Sequence, residues 1–341
     1  MYELAIIGGG PAGVSAAVYA ARKKLKTVFI TESFGGQSYD STDIQNWIGT
    51  PHISGSAFGE SLEKHLREYA GEYVDLKIGK RADSIKRAIG LIETEALRTE
   101  RPEERSDEGF EISVGEQKFN SKTILFTTGS TRRKLEIPGA SLFENKGIVY
   151  CASCDGPLFS GKNVVVIGGG NAGFETSAQL LAYCPSVTLI QRSDRLKADE
   201  MTVESVSKNP NFKVILNAEP VEVKGDKPAS TRDGSSTRGG FVSSLVYKDV
   251  KTNEITEVPT EGIFVEIGLI PNTKLLEGLV EMNEYKQIRI DHRTQKTSLK
   301  GVWSAGDNTD VLYHQNNIAA GDAVKALEDI YMYLRAGGNK I

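Results

Sequence analysis

The sequence predicts an α/β fold made of two similar domains, the second inserted in the first. Its 341 residues are enough for two domains of about 150 residues each. A strand–glycine turn–helix–strand pattern occurs twice, and the first glycines of the two turns are 160 positions apart. Glycine, with 35 residues, is also more abundant than in an average protein, which favours numerous tight turns.

Four predicted elements follow one another at the N-terminus. They are a buried strand, a GGGPAG turn, a helix and a second strand: Tyr2–Ile7, Gly8–Gly13, Val14–Lys23 and Thr27–Thr31. The glycines let the backbone approach a pyrophosphate closely, and the N-terminus of the following helix attracts that anion. Glu32 follows the second strand, 24 residues after Gly8, near the spacing of about 20 expected for a carboxylate that binds ribose hydroxyls.

The same order of elements returns at residue 163. A strand, a GGGNAG turn, a helix and a strand are predicted at Asn163–Ile167, Gly168–Gly173, Phe174–Tyr183 and Val187–Ile190. Two such Rossmann-like units predict two dinucleotide-binding domains of three-layer ββα architecture. We expect residues 1–131 and 261–341 to form the first domain and residues 132–260 the second. For either copy, the alternative is a glycine turn that binds no ligand.

Two cysteines separated by two residues lie just before the second copy, in Cys151-Ala152-Ser153-Cys154. A CxxC motif can close a small disulfide ring whose thiols respond to local charges, and Asp155 adds a titratable group beside it. The alternatives are half a zinc site or two unrelated buried cysteines. Because Cys184 is the one further cysteine, we expect neither a metal site nor a structural disulfide framework. Two dinucleotide-binding domains and a dithiol suggest electron flow from a pyridine nucleotide through a flavin to the disulfide.

Composition and hydropathy limit the kinds of partner that the protein can bind and the compartment in which it is expected. Lysine and arginine number 41 against 45 aspartate and glutamate residues, so the net charge of −4 argues against binding nucleic acid or an anionic membrane. The apolar run 4–21 is broken by glycines and follows no basic segment, so we expect neither a signal peptide nor a membrane span, and a cytoplasmic protein. Segments 98–109 and 226–240 are polar without periodicity and predict loops or hairpin tips. An amphipathic helix is predicted over Ala319–Leu334.

Over nearly its full length the chain resembles the low-molecular-weight thioredoxin reductases. The shared motifs, in order, are GGGPAG (8–13), GGQ (35–37), NWIG (46–49), TTG (127–129), CASCDGP (151–157), GGGNAG (168–173), PNT (271–273) and GVWSAGD (301–307). It is also similar to the flavoprotein subunit of alkyl hydroperoxide reductase, notably in 34–37, 155–162 and 197–199. That flavoprotein carries an N-terminal thioredoxin-like region, which we expect to be absent here. The resemblance implies a homodimer.

The resemblance implies an FAD site on the first domain. The implied FAD residues are Gly8, Gly10, Pro11, Ala12, Gly13, Glu32, Gly36, Gln37, Asn46, Thr128, Gly129, Gly306, Asp307, His314, Gln315 and Asn316. Asp307 would hydrogen-bond the ribityl chain. The family usually has Arg-Gln-Ala where this chain has His314-Gln315-Asn316, a departure that affects the flavin contacts at this edge.

The resemblance also implies roles for the dithiol and the second glycine turn. Cys154 would lie next to the flavin, Cys151 would exchange with the partner's disulfide, and Asp155 would act as acid and base. The implied NADPH residues are Gly168, Gly170, Asn171, Ala172, Gly173, Arg192, Arg195 and Lys197. Neutral Gln191 stands where an NAD site prefers an acid, so the three cations favour NADPH over NADH. The alternative for these cations is a solvated loop.

The sequence therefore predicts a thioredoxin-disulfide reductase. Electrons would pass from NADPH through FAD and the Cys151–Cys154 dithiol to thioredoxin or a thioredoxin-like protein. The alternatives are a disulfide reductase driven by NADH or another donor and feeding a peroxidase, a dithiol oxidase that uses O₂, and a flavin-binding regulatory protein without turnover.

Overall fold

A computed structural model describes residues 1–41, 43–88, 109–226, 229–230, 236–237 and 240–336. The helices are α1 (Pro11–Arg22), α2 (Gly55–Ala70), α3 (Ala152–Asp155), α4 (Asn171–Leu180), α5 (Glu200–Ser207) and α6 (Asn316–Arg335). The strands of the first part of the chain are β1 (Tyr2–Ile7), β2 (Thr27–Thr31), β3 (Val74–Ile78), β4 (Ser84–Ala88), β5 (Gly109–Val114), β6 (Gln117–Phe126), β7 (Ser130–Arg132), β8 (Ile148–Val149) and β9 (Asn163–Ile167). The remaining strands are β10 (Ser186–Ile190), β11 (Phe212–Ile215), β12 (Ala218–Gly225), β13 (Ala229–Ser230), β14 (Ser236–Thr237), β15 (Val242–Asp249), β16 (Ile255–Pro259), β17 (Gly262–Val265), β18 (Leu269–Pro271) and β19 (Val302–Ser304).

The chain divides into two compact units. Unit 1 comprises Met1–Asp40, Trp47–Thr131 and Ile270–Ile341, and unit 2 comprises Ser41–Asn46 and Arg132–Leu269. The predicted return to the first domain at residue 261 is too early. Strand β17 pairs with β9 on one side and with β8 on the other, so its backbone hydrogen bonds tie it to unit 2.

Unit 1 is built on a parallel sheet with the order β3-β2-β1-β6, continued by antiparallel β5 and β4, and β19 also pairs with β6. Residues Leu4–Ile7 of β1 are all buried, as expected of a strand that is covered on both faces. Ala5 and Ile7 belong to one hydrophobic cluster together with Val28 and Phe126. This core holds the carboxyl ends of β1 and β6 in register, where the first glycine turn begins.

Unit 2 repeats this construction with the sheet order β11-β10-β9-β17-β8, and its pairs are parallel. Its chain order reverses between β9 and β17, since β10 and β11 lie on one side of β9 and β17 on the other. A separate antiparallel sheet has the order β12-β15-β16. In open α/β sheets, ligands bind at the carboxyl ends of the strands where the order reverses.

The helices that follow the two glycine turns begin at Pro11 and Asn171, three residues earlier than predicted. The last residues of each glycine motif form the first helical turn, and proline suits that position because its missing N–H is not needed there. The C-terminal helix also exceeds its prediction at both ends. Residues 98–108 of the first predicted insertion lie outside the described residues, as does most of the second, in which β13 and β14 form a short hairpin.

Candidate functional site

The first glycine turn admits no larger residue at three of its positions, Gly8, Gly9 and Gly13. Gly8 has φ +119°, and a Cβ added there would collide with the carbonyl oxygen of Thr127. A Cβ on Gly13 would collide with the carbonyl oxygen of Gly8. The N-cap of α1 is Gly10, which has no side chain to satisfy the first N–H groups of the helix. The turn therefore presents backbone N–H groups and the positive end of the helix dipole to an anion.

Two further glycines leave space around this turn. A Cβ on Gly36 would lie 3.5 Å from the Cα of Gly10. Gly306, with φ +90°, lies between two helices: its Cβ would stand 3.6 Å from that of Ala12 and 3.5 Å from that of Ala319. Side chains at these positions would fill the cradle, so their absence fits a dinucleotide that lies against the backbone.

Polar side chains of three separate segments meet beside this cradle. Gln37 Nε2 donates to Ser130 Oγ at 2.9 Å and to Asp307 Oδ2 at 3.3 Å. Ser38 Oγ donates to Asn316 Oδ1 at 3.0 Å, at the start of α6. The structure thus brings Gln37 close to Asp307 and Asn316, which lie far from it in sequence. All three were predicted as FAD residues.

The edges of the cradle carry two more predicted residues. Glu32, directly after β2, forms an ion pair with Arg81, whose Nε donates to Glu32 Oε2 at 2.6 Å. His314 Nε2 lies 3.1 Å from the carbonyl oxygen of Val311, and its Nδ1 is buried without a hydrogen-bond partner among the described residues. A buried ring nitrogen without a partner is costly, so it fits a site that is completed by a bound group.

The remaining predicted FAD residues lie in the turn after β6, in unit 2 and at the start of α6. Thr128 Oγ1 donates to the carbonyl oxygen of Asn272 at 2.7 Å, and Gly129 has φ +62°, so both shape the turn after β6. Asn46 belongs to unit 2, where its Nδ2 lies 4.0 Å from Cys154 Sγ. Gln315 is the N-cap residue of α6.

The two cysteines of the CxxC motif form a disulfide, with 5.3 Å between their Cα atoms. Cys151 is the N-cap residue of α3, and its Sγ accepts a hydrogen bond from the backbone N–H of Cys154 at 3.2 Å. Cys184, in contrast, is buried, and burial raises its pKa to about 11.

Asp155 ends the helix that carries the disulfide. Its side chain is buried, and burial raises its pKa to about 6, an effect that the guanidinium of Arg132 partly opposes. A carboxyl group that titrates near neutral pH can both give and take a proton under working conditions. A proton donor therefore lies one residue from Cys154.

The second glycine turn has the same backbone construction. Gly168 has φ +123°, and its Cβ would collide with the carbonyl oxygen of Glu266, while a Cβ on Gly173 would collide with the carbonyl oxygen of Gly168. The N-cap of α4 is Gly170. This turn is therefore a second cradle for a pyrophosphate, within unit 2.

The segment after β10 folds back onto this turn. Gln191 Oε1 accepts from the N–H of Gly169 at 3.0 Å, and Gln191 Nε2 donates to Ser193 Oγ at 2.7 Å. The N–H of Lys197 donates to the carbonyl oxygen of Gly169 at 2.8 Å. Asn171 Oδ1 accepts from the N–H of Asp199 at 2.8 Å, so this predicted nucleotide residue also holds the segment in place.

The segment after β10 therefore places the three predicted cations beside the second glycine turn. Arg192 Nη1 lies 3.9 Å from Glu219 Oε1 in β12. Arg195 and Lys197 are exposed and form no ion pair with any described residue. Two of the three cations are thus open to an anion of a bound ligand.

The sequence did not single out Glu266, which follows β17. Its Oε1 accepts from Thr176 Oγ1 in α4 at 2.7 Å. Burial raises the pKa of Glu266 to about 7; the Thr176 hydrogen bond and Arg132 lower it in part, and Glu175 raises it further. The sequence feature that could have identified Glu266 is an acid directly after a buried apolar strand. This feature indicates a ligand-binding position only once β17 is known to lie beside β9.

Two kinds of feature are absent from the described ranges. No group of three or more His, Cys, Asp and Glu side chains there could hold a metal ion. No helix in this part of the chain is long and apolar enough to span a membrane.

The sequence pattern of the family described as pyridine nucleotide-disulphide oxidoreductase matches residues 2–323. The chain belongs to this family. The predicted α/β fold with two dinucleotide-binding domains is confirmed, and so is the resemblance on which the predicted roles rest. The family implies FAD and a pyridine nucleotide, and the two glycine cradles, with the unpartnered Nδ1 of His314 beside the first, fit these ligands.

Among solved structures, thioredoxin reductase from Giardia duodenalis is 30% identical, covers 98% of this chain and 99% of its own, and superposes with a TM-score of 0.81. Thioredoxin reductase from Streptococcus pyogenes is 27% identical, covers 98% of this chain and 99% of its own, and has a TM-score of 0.80. These structures share the fold of this pyridine nucleotide-disulphide oxidoreductase over nearly its whole length.

Curated sequence relatives carry other names. A protein of Xanthomonas campestris that is named as a subunit of alkyl hydroperoxide reductase is 38% identical over 98% of this chain and 57% of its own length. A Bacillus subtilis protein named NADH dehydrogenase is 36% identical over 98% of this chain and 58% of its own. The chain therefore spans somewhat more than half the length of the curated relatives that it matches.

Proposed function

We propose that this chain is an FAD-dependent reductase of protein disulfides. It takes electrons from NADPH and passes them through the Cys151–Cys154 dithiol to thioredoxin or a thioredoxin-like protein. The observation that carries the proposal is a disulfide with a buried, near-neutral carboxyl group beside it, in a chain that has two glycine cradles. Bound FAD would accept hydride from the nicotinamide and deliver two electrons to the disulfide.

We assign FAD to the cradle of unit 1. The backbone N–H groups at the start of α1 would hold the pyrophosphate, and Glu32 would reach the adenosine ribose. Gln37, Asp307 and Asn316 already form one hydrogen-bonded neighbourhood that can orient the flavin end. His314 Nδ1 supplies a further polar atom whose partner the cofactor would provide.

The exchange with the partner protein follows from the two thiols. The Cys151 thiolate attacks one sulfur of the partner's disulfide, forms a mixed disulfide and releases the partner's other sulfur as a thiolate. The Cys154 thiolate then attacks Cys151, which re-forms the internal disulfide and releases the second partner sulfur. Asp155 can supply a proton to a leaving thiolate, since its pKa of about 6 lies close to neutral pH. Two electrons thereby move from the dithiol to the partner.

NADPH is the donor that the segment after β10 favours. Gln191 is neutral and is held by Gly169 and Ser193, so no carboxylate stands at the strand end to repel a 2′-phosphate. Arg195 and Lys197 are exposed cations in the same segment. We also propose that the protein works as a cytoplasmic homodimer, as the likeness to thioredoxin reductases suggests; its solution mass relative to the 37.1 kDa chain would test the dimer.

A second candidate is the supply of electrons from NADH to a peroxidase through a thioredoxin-like carrier. Relatives at 36–38% identity, some named for alkyl hydroperoxide reductase and two named NADH dehydrogenase, favour it. Turnover with each nucleotide, once with a thioredoxin disulfide and once with a carrier, an alkyl hydroperoxide-reducing peroxidase and peroxide, separates the two. Faster turnover with NADH in the peroxidase assay would support this candidate over the first.

The test of the proposal is protein-disulfide reduction by three forms of the FAD-loaded protein. Cys151→Ser should abolish it, because no thiol remains to form the mixed disulfide, and Asp155→Asn should slow it about 100-fold. The matched control is Cys184→Ala, which removes the buried thiol outside the motif and should leave the rate unchanged. Survival of disulfide reduction in Cys151→Ser would refute the proposal.

A further inference from the structure

Glu266 is a half-buried acid in unit 2 that the proposed reaction has not used. Its main chain is bound to the second glycine turn: the N–H of Glu266 donates to Ile167 at 2.8 Å, and its carbonyl oxygen lies where a Cβ of Gly168 would be. Glu266 therefore stands at the carboxyl end of β17, directly beside the first glycine of the cradle.

The order of the strands in the sheet determines which half of a dinucleotide lies over the carboxyl end of β17. A dinucleotide crosses the carboxyl ends of the strands where the order reverses, here between β9 and β17. Its adenosine half lies over the strand that follows the glycine helix, which is β10, the strand that leads to Gln191 and the cations. The nicotinamide half then extends to the other side of β9, over the end of β17 and Glu266.

The side chain of Glu266 is held in position by a hydrogen bond to one of its two carboxyl oxygens. Thr176, itself buried in α4, donates to Oε1 at 2.7 Å. The other oxygen, Oε2, makes no hydrogen bond with a described residue. The nearby charged groups are Arg132, which forms no ion pair with Glu266 in the described part of the chain, and Glu175, which carries the same charge as Glu266. Glu266 is thus a carboxylate that is fixed through one oxygen and can offer the other oxygen to a ligand.

We propose that Glu266 positions the nicotinamide ring, by accepting a hydrogen bond from the N–H₂ of its carboxamide. This inference rests on the proposed function, because it needs a pyridine nucleotide in the second cradle. The bond would fix the rotation of the ring, and so the face from which hydride leaves, while the pyrophosphate stays on the glycine turn. The nicotinamide carboxamide is the one amide donor of the dinucleotide that reaches this side of the sheet.

The test is calorimetric titration of the oxidised, FAD-loaded protein, which binds nucleotides without turnover. Wild type, Glu266→Ala and Glu266→Gln are titrated with NADP⁺, with 2′-phospho-ADP-ribose, which lacks nicotinamide, and with the 3-acetylpyridine analogue of NADP⁺, which lacks the N–H₂ group. Glu261→Ala is the matched control, since Glu261 precedes β17 at its opposite end. The flavin spectrum of each variant checks that it is folded and loaded.

We expect Glu266→Ala to weaken NADP⁺ binding about tenfold, as for a lost hydrogen bond to a charged group. Binding of 2′-phospho-ADP-ribose should change less than about twofold, and Glu261→Ala should change neither. The acetylpyridine analogue should bind wild type less tightly than NADP⁺ does and should not distinguish wild type from Glu266→Ala. Glu266→Gln, which keeps an acceptor oxygen, should lose less than Glu266→Ala.

Two results would overturn the inference alone. One is unchanged NADP⁺ affinity in Glu266→Ala; the other is equal weakening of NADP⁺ and 2′-phospho-ADP-ribose, which would mean that Glu266 acts on the shape of the turn. The wild type is also titrated with NAD⁺; if it binds neither NAD⁺ nor any of the three other ligands, the proposed function fails as well. The two failures are thus distinguishable in one set of titrations.

Discussion

The two glycine turns of this chain share one backbone and differ in what surrounds them. In both, the first glycine has a strongly positive φ and the last is packed against the first. Around the first turn stand two further glycines and a set of polar groups that includes the carboxyl group of Asp307, with Glu32 at the end of the second strand. Around the second stand Gln191, bound to the turn itself, and exposed cations. The glycines thus provide a place for a pyrophosphate, and the neighbouring segments decide which dinucleotide fits.

The largest effect should come from changing the last glycine of either turn. Gly13→Ala and Gly173→Ala each place a Cβ against a carbonyl oxygen of the same turn. We expect Gly13→Ala to weaken FAD retention roughly 100-fold and to leave NADPH affinity unchanged. Gly173→Ala should weaken NADPH affinity by a similar factor and leave FAD retention unchanged. Flavin absorbance after gel filtration and nucleotide titration measure the two.

Gly321→Ala is the control for this pair, since nothing lies within 4 Å of a Cβ at that helical position. It should retain both ligands, because alanine is the better helix former. Loss of both ligands from either turn variant would mean that the two cradles are not independent.

Asp155 of unit 2 is buried and Glu32 of unit 1 is exposed, so removing the charge of each should change the stability of the protein by different amounts. The pKa of Asp155 is raised from 3.8 to about 6, so between these values the folded chain binds more protons than the unfolded one and stability falls as pH rises. Asp155→Asn should therefore stabilise the protein by roughly 3 kcal/mol at pH 8 and by almost nothing at pH 4. Chemical denaturation of the oxidised protein at the two pH values measures this.

Glu32→Gln serves as the counterpart in unit 1. Glu32 is exposed and paired with exposed Arg81, and such pairs contribute between zero and about 1 kcal/mol. Its substitution should lower stability slightly or not at all at pH 8. A stabilisation equal to that of Asp155→Asn would contradict the role of burial.

A smaller effect should follow from the cations beside the second turn. Replacing Arg195 and Lys197 together by alanine should lower kcat/KM for NADPH about tenfold and leave that for NADH within about twofold, because only NADPH carries a 2′-phosphate. Lys208→Ala removes an exposed cation that is paired with Glu204 and should change neither. Equal losses with both nucleotides would mean that the cations act on a part that the two donors share.

Much of this arrangement could be predicted from the sequence. Strands β1, β2 and β9 begin and end at the predicted residues, because continuous apolar runs bounded by glycine turns have few other interpretations. The start of α4 was missed, since Asn171 was assigned to the turn although it already has helical geometry. The return to unit 1 was also misplaced, because the apolar run of β17 would suit either sheet and its pairing with β9 is long-range.

Side-chain partners were the least predictable part of the candidate site. The sequence indicated that Gln191 lacks a charge but not that its amide holds Gly169 and Ser193. The sequence did not reveal the role of Glu266, because its neighbours Gly168 and Thr176 come from the turn after β9 and from α4, which are distant in sequence. Such contacts depend on which non-consecutive strands become neighbours, and this topology is not encoded in local periodicity.

The central claim is that electrons pass from a pyridine nucleotide through FAD to the Cys151–Cys154 disulfide. Anaerobic titration of the purified protein with NADPH, followed by flavin absorbance and by thiol counting, tests it most directly. The wild type should consume about two equivalents, one for the flavin and one for the disulfide, and Cys151→Ser about one. Consumption of about one equivalent by the wild type, with no new thiols, would contradict the account.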